Sequence, residues 1–164
     1  MRRGGKDESL VVKGIVLVAI ITGVFVVMLL LMSPPSDLFG NGGPCSGSAE
    51  CFEDTVTEIV DGDTLYVGDV KIRLALVDTP EYWEDGYEEA TQFTSNLCPV
   101  GSEALVDQDD DQLYDSYGRM LAVVYCEGKN LNEELLENGH GVILTQYCDE
   151  SEFRHQAWAR QYGC

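Results

Sequence analysis

The sequence predicts an α+β domain built around a small β-barrel and preceded by one transmembrane helix. Three observations support this prediction: a run of 19 uncharged residues before position 33, five short segments of strand character after it, and about three helical segments interspersed with those strands. Short strands bounded by turn residues are typical of small barrels. Periodicity alone does not identify the type of barrel.

The uncharged run, GIVLVAIITGVFVVMLLLM over residues 14–32, has the length of a membrane-spanning helix. At about 1.5 Å per residue it would extend about 28 Å, close to the thickness of the hydrocarbon layer. A removable signal peptide is the alternative, but its apolar region is normally about 7–15 residues long and precedes a small-residue cleavage site. Here a longer run is followed by Ser33-Pro34-Pro35. We therefore predict an uncleaved transmembrane anchor.

Positive charges before the anchor predict its orientation. Four of the ten basic residues lie in the first 13 positions, namely Arg2, Arg3, Lys6 and Lys13. By the positive-inside rule, we expect residues 1–13 in the cytoplasm and the residues after the anchor outside it, in a single-pass protein of the cell membrane. Residues 33–50 are rich in Pro, Gly and Ser and predict a flexible linker, which leaves residues 51–164 as the folded domain.

The elements of the domain follow from alternating apolar residues, turn residues and helix stop signals. The predicted strands are Thr55–Val60, Asp63–Val67, Val70–Val77, Glu103–Val106 and Met120–Cys126. The predicted helices are Glu88–Leu97, Asn130–Glu137 and Glu150–Tyr162. We interpret Trp83 and Trp158 as packing residues, with contact between Trp83 and a substrate as the alternative. We interpret the acidic run 107–111 as a solvated loop, with a second cation site as the alternative.

Charge and cysteine content restrict the function and the compartment. Beyond residue 32 the chain carries 27 acidic and 6 basic residues, a balance of −21. Such a domain repels polyanions at long range, and this is the main observation against a nucleic-acid substrate. All six cysteines follow the apolar run, without zinc-type spacing. Their even number predicts three disulfides in an oxidising compartment, with free or metal-binding thiols as the alternative.

Three short segments carry acids and bases suited to chemistry: residues 61–64, 73–81 and 117–119. In the second segment, Pro80 fixes its own φ and keeps Thr79 out of the helical region, so the chain turns rigidly at the end of a strand. Carboxylates at such a turn, here Asp78 and Glu81, suit a calcium or magnesium site with an adjacent base. Taken singly, each segment is more typical of an ordinary polar turn.

Together the three segments resemble the thermonuclease (staphylococcal-nuclease-like) family. The family pattern is Asp-Gly-Asp-Thr, then Arg-x4-Asp-Thr-Pro-Glu, then Tyr-Gly-Arg, and all three parts stand unbroken in this sequence. The similarity extends over roughly residues 55–158. It implies a five-stranded oligonucleotide/oligosaccharide-binding (OB-fold) barrel with about three helices, and a Ca²⁺-dependent enzyme that hydrolyses phosphodiester bonds of DNA and RNA. We expect the catalytic domain to act as a monomer.

The resemblance assigns roles at the matching positions. Asp63 and Asp78 would bind Ca²⁺ through carboxylates and Thr79 through its backbone carbonyl. Asp61 would lie next to these ligands without binding the ion itself. Glu81 would orient or deprotonate the attacking water. The remaining assignments are phosphate binding by Arg73 and Arg119, and contact with the bound nucleotide by Tyr117 and Tyr147. The family fold also favours the disulfide pairs Cys45–Cys51, Cys98–Cys126 and Cys148–Cys164, which are one of 15 possible connectivities.

Departures from the family pattern leave two other functions open. The hairpin between Asp63 and Arg73 is short, Ser116 replaces a common lysine, and Thr145 replaces one of two substrate-stacking tyrosines. A catalytically inactive OB-fold binding module is one alternative, and the filled catalytic positions argue against it. An acidic calcium-binding surface protein is the other, and it would not require the two arginines.

Overall fold

The computed structural model describes residues 44–164. The predicted cytoplasmic segment, the 14–32 anchor and most of the predicted linker lie outside the described residues. Within residues 44–164, none of the helices is both long enough and apolar enough to cross a bilayer.

The described residues form eight strands, three α-helices and two 3₁₀ helices. The strands are β1 (Cys51–Ile59), β2 (Thr64–Val67), β3 (Val70–Leu74), β4 (Val77–Asp78), β5 (Glu103–Gln108), β6 (Met120–Cys126), β7 (Lys129–Asn130) and β8 (Val142–Ile143). The α-helices are α1 (Tyr87–Leu97), α2 (Leu131–Glu137) and α3 (Ala157–Tyr162), and the 3₁₀ helices are Thr145–Glu150 and Glu152–His155.

Five of the strands close into a barrel. β1 pairs antiparallel with β2 and β5, β2 with β3, and β5 with β6, while the parallel pairing of β3 with β6 completes the ring. The strand order around the ring, β1-β2-β3-β6-β5, is consistent with the OB-fold, and the predicted α+β barrel is confirmed at this level. Every barrel strand contributes fully buried apolar side chains to the interior, among them Val56, Leu65, Ile72, Val106 and Val124.

A break in the third predicted strand positions the acidic turn that follows it. We expected one strand over Val70–Val77, but β3 ends at Leu74, and Leu76 adopts a left-handed backbone conformation with a φ of 63°. The chain then leaves the barrel as β4, in which Asp78 pairs with Val142 of β8. As a result, Asp78 and Thr79 lie beside the barrel rather than within its wall.

The prediction of a final helix over Glu150–Tyr162 is wrong for the first half of this segment. Ser151 and Gln156 both have extended backbone conformations, and they divide the segment into 3₁₀ turns followed by α3. The Ser151 hydroxyl accepts a hydrogen bond from the Phe153 N–H and donates one to Asp109. Ser151 therefore caps the start of the second 3₁₀ helix instead of continuing an α-helix.

The structure contains three disulfides in the predicted pairs: Cys45–Cys51, Cys98–Cys126 and Cys148–Cys164. Cys98 and Cys126 are fully buried, and their bond joins the end of α1 to the end of β6. None of the cysteines in residues 44–164 is free.

The prediction of a solvated loop over the acidic run 107–111 is wrong for its first half, whereas Asp111 is exposed. Asp107 and Asp109 are each only 1% exposed. Asp107 accepts a hydrogen bond from the Ser46 N–H at 3.0 Å, and Asp110 accepts from Ser48 at 2.7 Å, so residues that we assigned to the linker are held against the domain. Burial raises the pKa of Asp107 to about 6, although its bonds to Ser46 oppose the shift.

Candidate active site

A glycine lets the turn between β1 and β2 approach the rest of the site closely. A Cβ on Gly62 would lie 2.6 Å from Thr79 Oγ1 and 2.8 Å from Ala90 Cβ, closer than such atoms can pack. The Gly62 carbonyl also accepts a hydrogen bond from the buried Thr94 hydroxyl. This contact brings Asp61 and Asp63, on either side of the glycine, against the strand end that carries Thr79.

Asp63 is the centre of the contacts between the first two predicted segments. Its Oδ2 accepts hydrogen bonds from Thr79 N at 2.7 Å and from Thr79 Oγ1 at 2.9 Å. Its Oδ1 accepts from Thr64 Oγ1 at 3.1 Å, and its own N–H donates to Asp61 Oδ1 at 3.1 Å. These hydrogen bonds hold the carboxylate in one orientation beside Thr79.

Arg73 joins Asp63 to Asp78 and has little donor capacity left. Its Nε lies 3.1 Å from Asp63 Oδ1, and its Nη2 donates to Asp78 Oδ1 at 2.7 Å. Its Nη1 donates to the Leu74 and Val77 carbonyls. Since a guanidinium has five N–H groups, only one on Nη2 remains for another acceptor. Phosphate binding at Arg73 would use that N–H or displace Asp78.

Arg119 keeps more of its donors available. Its Nε donates to Asp115 Oδ2 at 2.6 Å, and its Nη1 lies 3.3 Å from Thr64 Oγ1. Asp115 Oδ1 accepts from the backbone N–H groups of Tyr117 and Arg119, both at 2.9 Å. The third predicted segment is thus a turn organised by Asp115. We did not predict a role for Asp115, because the pairing of an acid with a base four residues later is a pattern of helices, and these residues lie in a turn.

A single cavity of about 510 Å³ brings together most of the predicted site residues. The predicted residues that line it are Asp61, Asp63, Arg73, Asp78, Glu81, Tyr117, Arg119 and Tyr147. Thr79 lies behind this lining and is buried. The Arg119 guanidinium lies over one face of the Tyr117 ring, 5.4 Å from the ring centre. Tyr117 is 84% exposed, so its opposite face is open to solvent.

One packing prediction in this region is wrong. Trp83, two residues beyond Glu81, is 78% exposed and does not pack against the core. Trp158 is buried, as predicted, and its indole N–H donates to Gln156.

Negative charge dominates the cavity. Six carboxylates line it against the two guanidiniums of Arg73 and Arg119. Burial raises the pKa of Asp61, and the neighbouring Asp63 charge adds to the effect. Burial also raises the pKa of Asp78, with Arg73 opposing the shift and Asp63 and Glu84 reinforcing it. Burial opposes the lower pKa of Asp115, but hydrogen bonds from Arg119 and Tyr117 outweigh it.

The donor atoms present fit a hard divalent cation. Asp63 and Asp78 supply carboxylate oxygens beside the Thr79 backbone, all of them ligands that calcium prefers. Within residues 44–164, no group of three or more His, Cys, Asp and Glu side chains is arranged to hold a metal on its own. Since Ca²⁺ takes about 6–8 oxygens, backbone, water and substrate oxygens would supply the remainder. The excess of carboxylates over guanidiniums also favours a cation, because the uncompensated cavity repels phosphate.

Comparison with known proteins places the chain in a family. The family model described as "Staphylococcal nuclease homologue" matches residues 71–162. The chain is 36% identical over 117 residues to the SPbeta prophage-derived endonuclease YokF of Bacillus subtilis, over 65% of this chain and 39% of that protein. It is 36% identical over 112 residues to the endonuclease YncB of the same organism, over 62% of this chain and 53% of that protein.

A third relative comes from another bacterium. An uncharacterized endonuclease of Haemophilus influenzae is 32% identical over 97 residues, which are 56% of this chain and 52% of that protein. The chain spans about half the length of these curated relatives or less. The family match covers more than half of the chain and includes Arg73, the acidic turn after it and the Tyr-Gly-Arg segment. The chain therefore belongs to the family of staphylococcal nuclease homologues.

Proposed function

We propose that this protein is a calcium-dependent nuclease that hydrolyses phosphodiester bonds of DNA and RNA. One observation carries the proposal: Glu81 and the two arginines line the same cavity as the Asp63 and Asp78 carboxylates. This combination offers a base, phosphate-binding donors and hard oxygen ligands within one site. Three of the relatives are named as endonucleases, which agrees with it.

The side chains of the site have different roles in hydrolysis. Glu81, exposed at the edge of the cavity, orients and deprotonates the attacking water. Arg119 donates its free N–H groups to the phosphate oxygens, on which charge grows in the transition state. Arginine suits this role because its planar fork binds two oxygens at once. Arg73 keeps Asp63 and Asp78 together and offers its remaining N–H to the same phosphate.

A bound Ca²⁺, held by Asp63, Asp78 and the Thr79 carbonyl, would neutralise the phosphodiester and stabilise its transition state. We expect no hydrolysis in excess chelator and full recovery when calcium is restored, because without a cation the carboxylates of the cavity repel the substrate. The measurement is the initial rate of oligonucleotide cleavage against free calcium. Magnesium at the same concentrations is the control for a general ionic effect, and undiminished activity in chelator would exclude the mechanism.

The two alternatives predict different results in the same assay. An inactive binding module would bind the oligonucleotide without shortening it. An acidic calcium-binding surface protein would bind calcium but not the oligonucleotide. The two arginines at the cavity favour the nuclease over this second alternative, because a calcium site alone gives no reason to place guanidiniums beside it.

We further propose that the domain acts outside the cytoplasm, as a monomer tethered to the cell membrane by the predicted 14–32 anchor. The three disulfides support this location, because such bonds persist in oxidising compartments. Protease accessibility on intact cells tests it. Digestion of the domain without cell lysis is expected, whereas a domain that is protected until lysis would contradict the proposal.

The acidity of the domain leads to a prediction about salt. Nucleic-acid binding normally weakens as salt rises, because basic residues release counterions from the phosphates. Here only six basic residues follow the anchor, and two of them line the cavity. Salt screens the repulsive field with a Debye length of about 10 Å at 0.1 M, while contacts inside the site are screened less.

We therefore expect the cleavage rate at saturating calcium and subsaturating DNA to stay constant or rise between low and moderate salt. The measurement is the initial rate against ionic strength at fixed free calcium. A basic nuclease assayed in parallel provides the comparison. A steep fall with salt would mean that a local basic patch dominates and that the net charge does not govern binding.

A further inference from the structure

We propose that the turn carrying Tyr82 and Trp83 is a base-stacking subsite, which binds an unpaired nucleobase next to the scissile phosphate. The inference rests on the proposed nuclease function and adds a subsite to it. Tyr82 is 79% exposed and Trp83 is 78% exposed, so two adjacent large aromatic side chains both present most of their surface to solvent.

The turn is fixed by two hydrogen bonds across its ends. The Glu84 N–H donates to the Glu81 carbonyl at 2.7 Å, and the Glu81 N–H donates to Glu84 Oε2 at 2.9 Å. Tyr82 and Trp83 therefore occupy the two central positions of a closed turn. Gly, Pro, Asn, Asp and Ser dominate such positions, because their backbone preferences suit the bend. Nothing in the turn geometry calls for two aromatic residues, so a role in binding accounts for them better.

The turn is also continuous with the proposed active site. Glu81 begins the turn and lines the cavity, so the proposed base and the aromatic pair belong to one hydrogen-bonded turn. The Tyr87 ring packs edge-on against Tyr82, with ring centres 5.5 Å apart and planes at 83°. This contact restrains the Tyr82 ring before any ligand binds, and it lowers the entropy cost of stacking.

The chemistry of the turn favours a base over a phosphate. Three acidic residues, Glu81, Glu84 and Asp85, flank the aromatic pair, and none of the residues from 81 to 86 is basic. Phosphate oxygens are repelled there, whereas the π-face of a base gains about 1–3 kcal/mol by stacking on an aromatic side chain. A base within a duplex already stacks on its neighbours. The ligand is therefore an unpaired base, in a single strand or at a frayed end.

Tryptophan fluorescence of the full-length protein tests this subsite directly. The chain has two tryptophans, of which Trp158 is buried, so a change in exposed indole emission reports on Trp83. Titration of a single-stranded oligonucleotide into Glu81→Gln protein, with binding followed independently by anisotropy, is expected to quench this emission in step with binding. The same titration of Glu81→Gln/Trp83→Phe protein is expected to show binding without quenching.

Kinetics in the otherwise wild-type protein separate stacking from an effect on Glu81. Trp83→Ala is expected to raise KM for single-stranded substrate at least about fivefold, as loss of one stacked base predicts, and to leave kcat nearly unchanged. Trp83→Phe keeps a ring and is expected to retain most of the affinity. A fall in kcat with unchanged KM would mean that Trp83 only positions Glu81, and it would overturn the proposal.

Other results also overturn it. Oligonucleotide binding and cleavage with no response of Trp83 emission, and no effect of Trp83→Ala on KM, would reject the subsite while leaving the nuclease function intact. Absence of both binding and cleavage in the wild-type protein would reject the nuclease function itself. A blue shift of Trp83 emission with phosphatidylglycerol vesicles, but no response to oligonucleotide, would assign the turn to a lipid surface instead.

Discussion

Replacing Glu81 by glutamine is expected to lower kcat by about 10²- to 10⁴-fold, the usual contribution of a general base. The side chain is exposed at the edge of the cavity, and its turn contacts use only backbone atoms. The fold should therefore be unaffected. Single-turnover cleavage at saturating calcium measures the rate, and thermal unfolding measures the stability.

A neighbouring carboxylate on the same turn supplies the matched control. Glu84→Gln removes one negative charge but keeps an oxygen that can accept the Glu81 N–H. We expect it to retain most of the activity. Equal losses in Glu81→Gln and Glu84→Gln would mean that charge or turn geometry, rather than a base at position 81, limits the reaction.

Replacing either cavity arginine by lysine is expected to lower kcat/KM by about 10²- to 10³-fold, because lysine keeps the charge but loses the donors aimed at the transition state. The exposed Arg160, changed to lysine, is the matched control and should leave the rate unchanged. A rate near that of the wild type in either Arg73→Lys or Arg119→Lys would contradict the assignment.

The two arginine variants should differ in stability. Arg73 is buried, and its Nη1 satisfies the Leu74 and Val77 carbonyls, so Arg73→Lys is expected to cost roughly 1–3 kcal/mol of unfolding free energy from unsatisfied polar groups. Arg119 binds the partly exposed Asp115 and Thr64 hydroxyl, and its replacement should change the stability less. Denaturant unfolding of both proteins measures the difference.

Local patterns in the sequence predicted the barrel because its strands are short, alternating and bounded by turn residues. The same reasoning failed over the last predicted helix, because Ser151 donates a hydrogen bond to Asp109, 42 residues away in the chain, and interrupts the helix there. It failed again at the acidic run, where Asp107 is buried against Ser46, 61 residues away. Neither partner can be read from a local window, because both contacts depend on the finished fold.

The sequence predicted which residues line the site but not how these residues contact one another. The motif pattern grouped the residues that the cavity brings together, because the three motif parts lie on or directly beside β2, β3 and β6, which are neighbours in the barrel. The pattern gave Arg73 and Arg119 the same role. In the structure Arg73 is paired with both Asp63 and Asp78, whereas Arg119 is paired with Asp115 alone and has more N–H groups available. We also interpreted Trp83 as a packing residue, because the sequence alone does not reveal which aromatic side chains a turn exposes.

Incubating the purified full-length protein with an end-labelled single-stranded oligonucleotide tests the central claim most directly. Shorter products should appear with calcium and be absent in chelator, and Glu81→Gln should bind the same oligonucleotide without shortening it. If the wild-type protein with calcium binds the oligonucleotide and leaves its length unchanged, the domain is a binding module and the claim of hydrolysis at this site is contradicted.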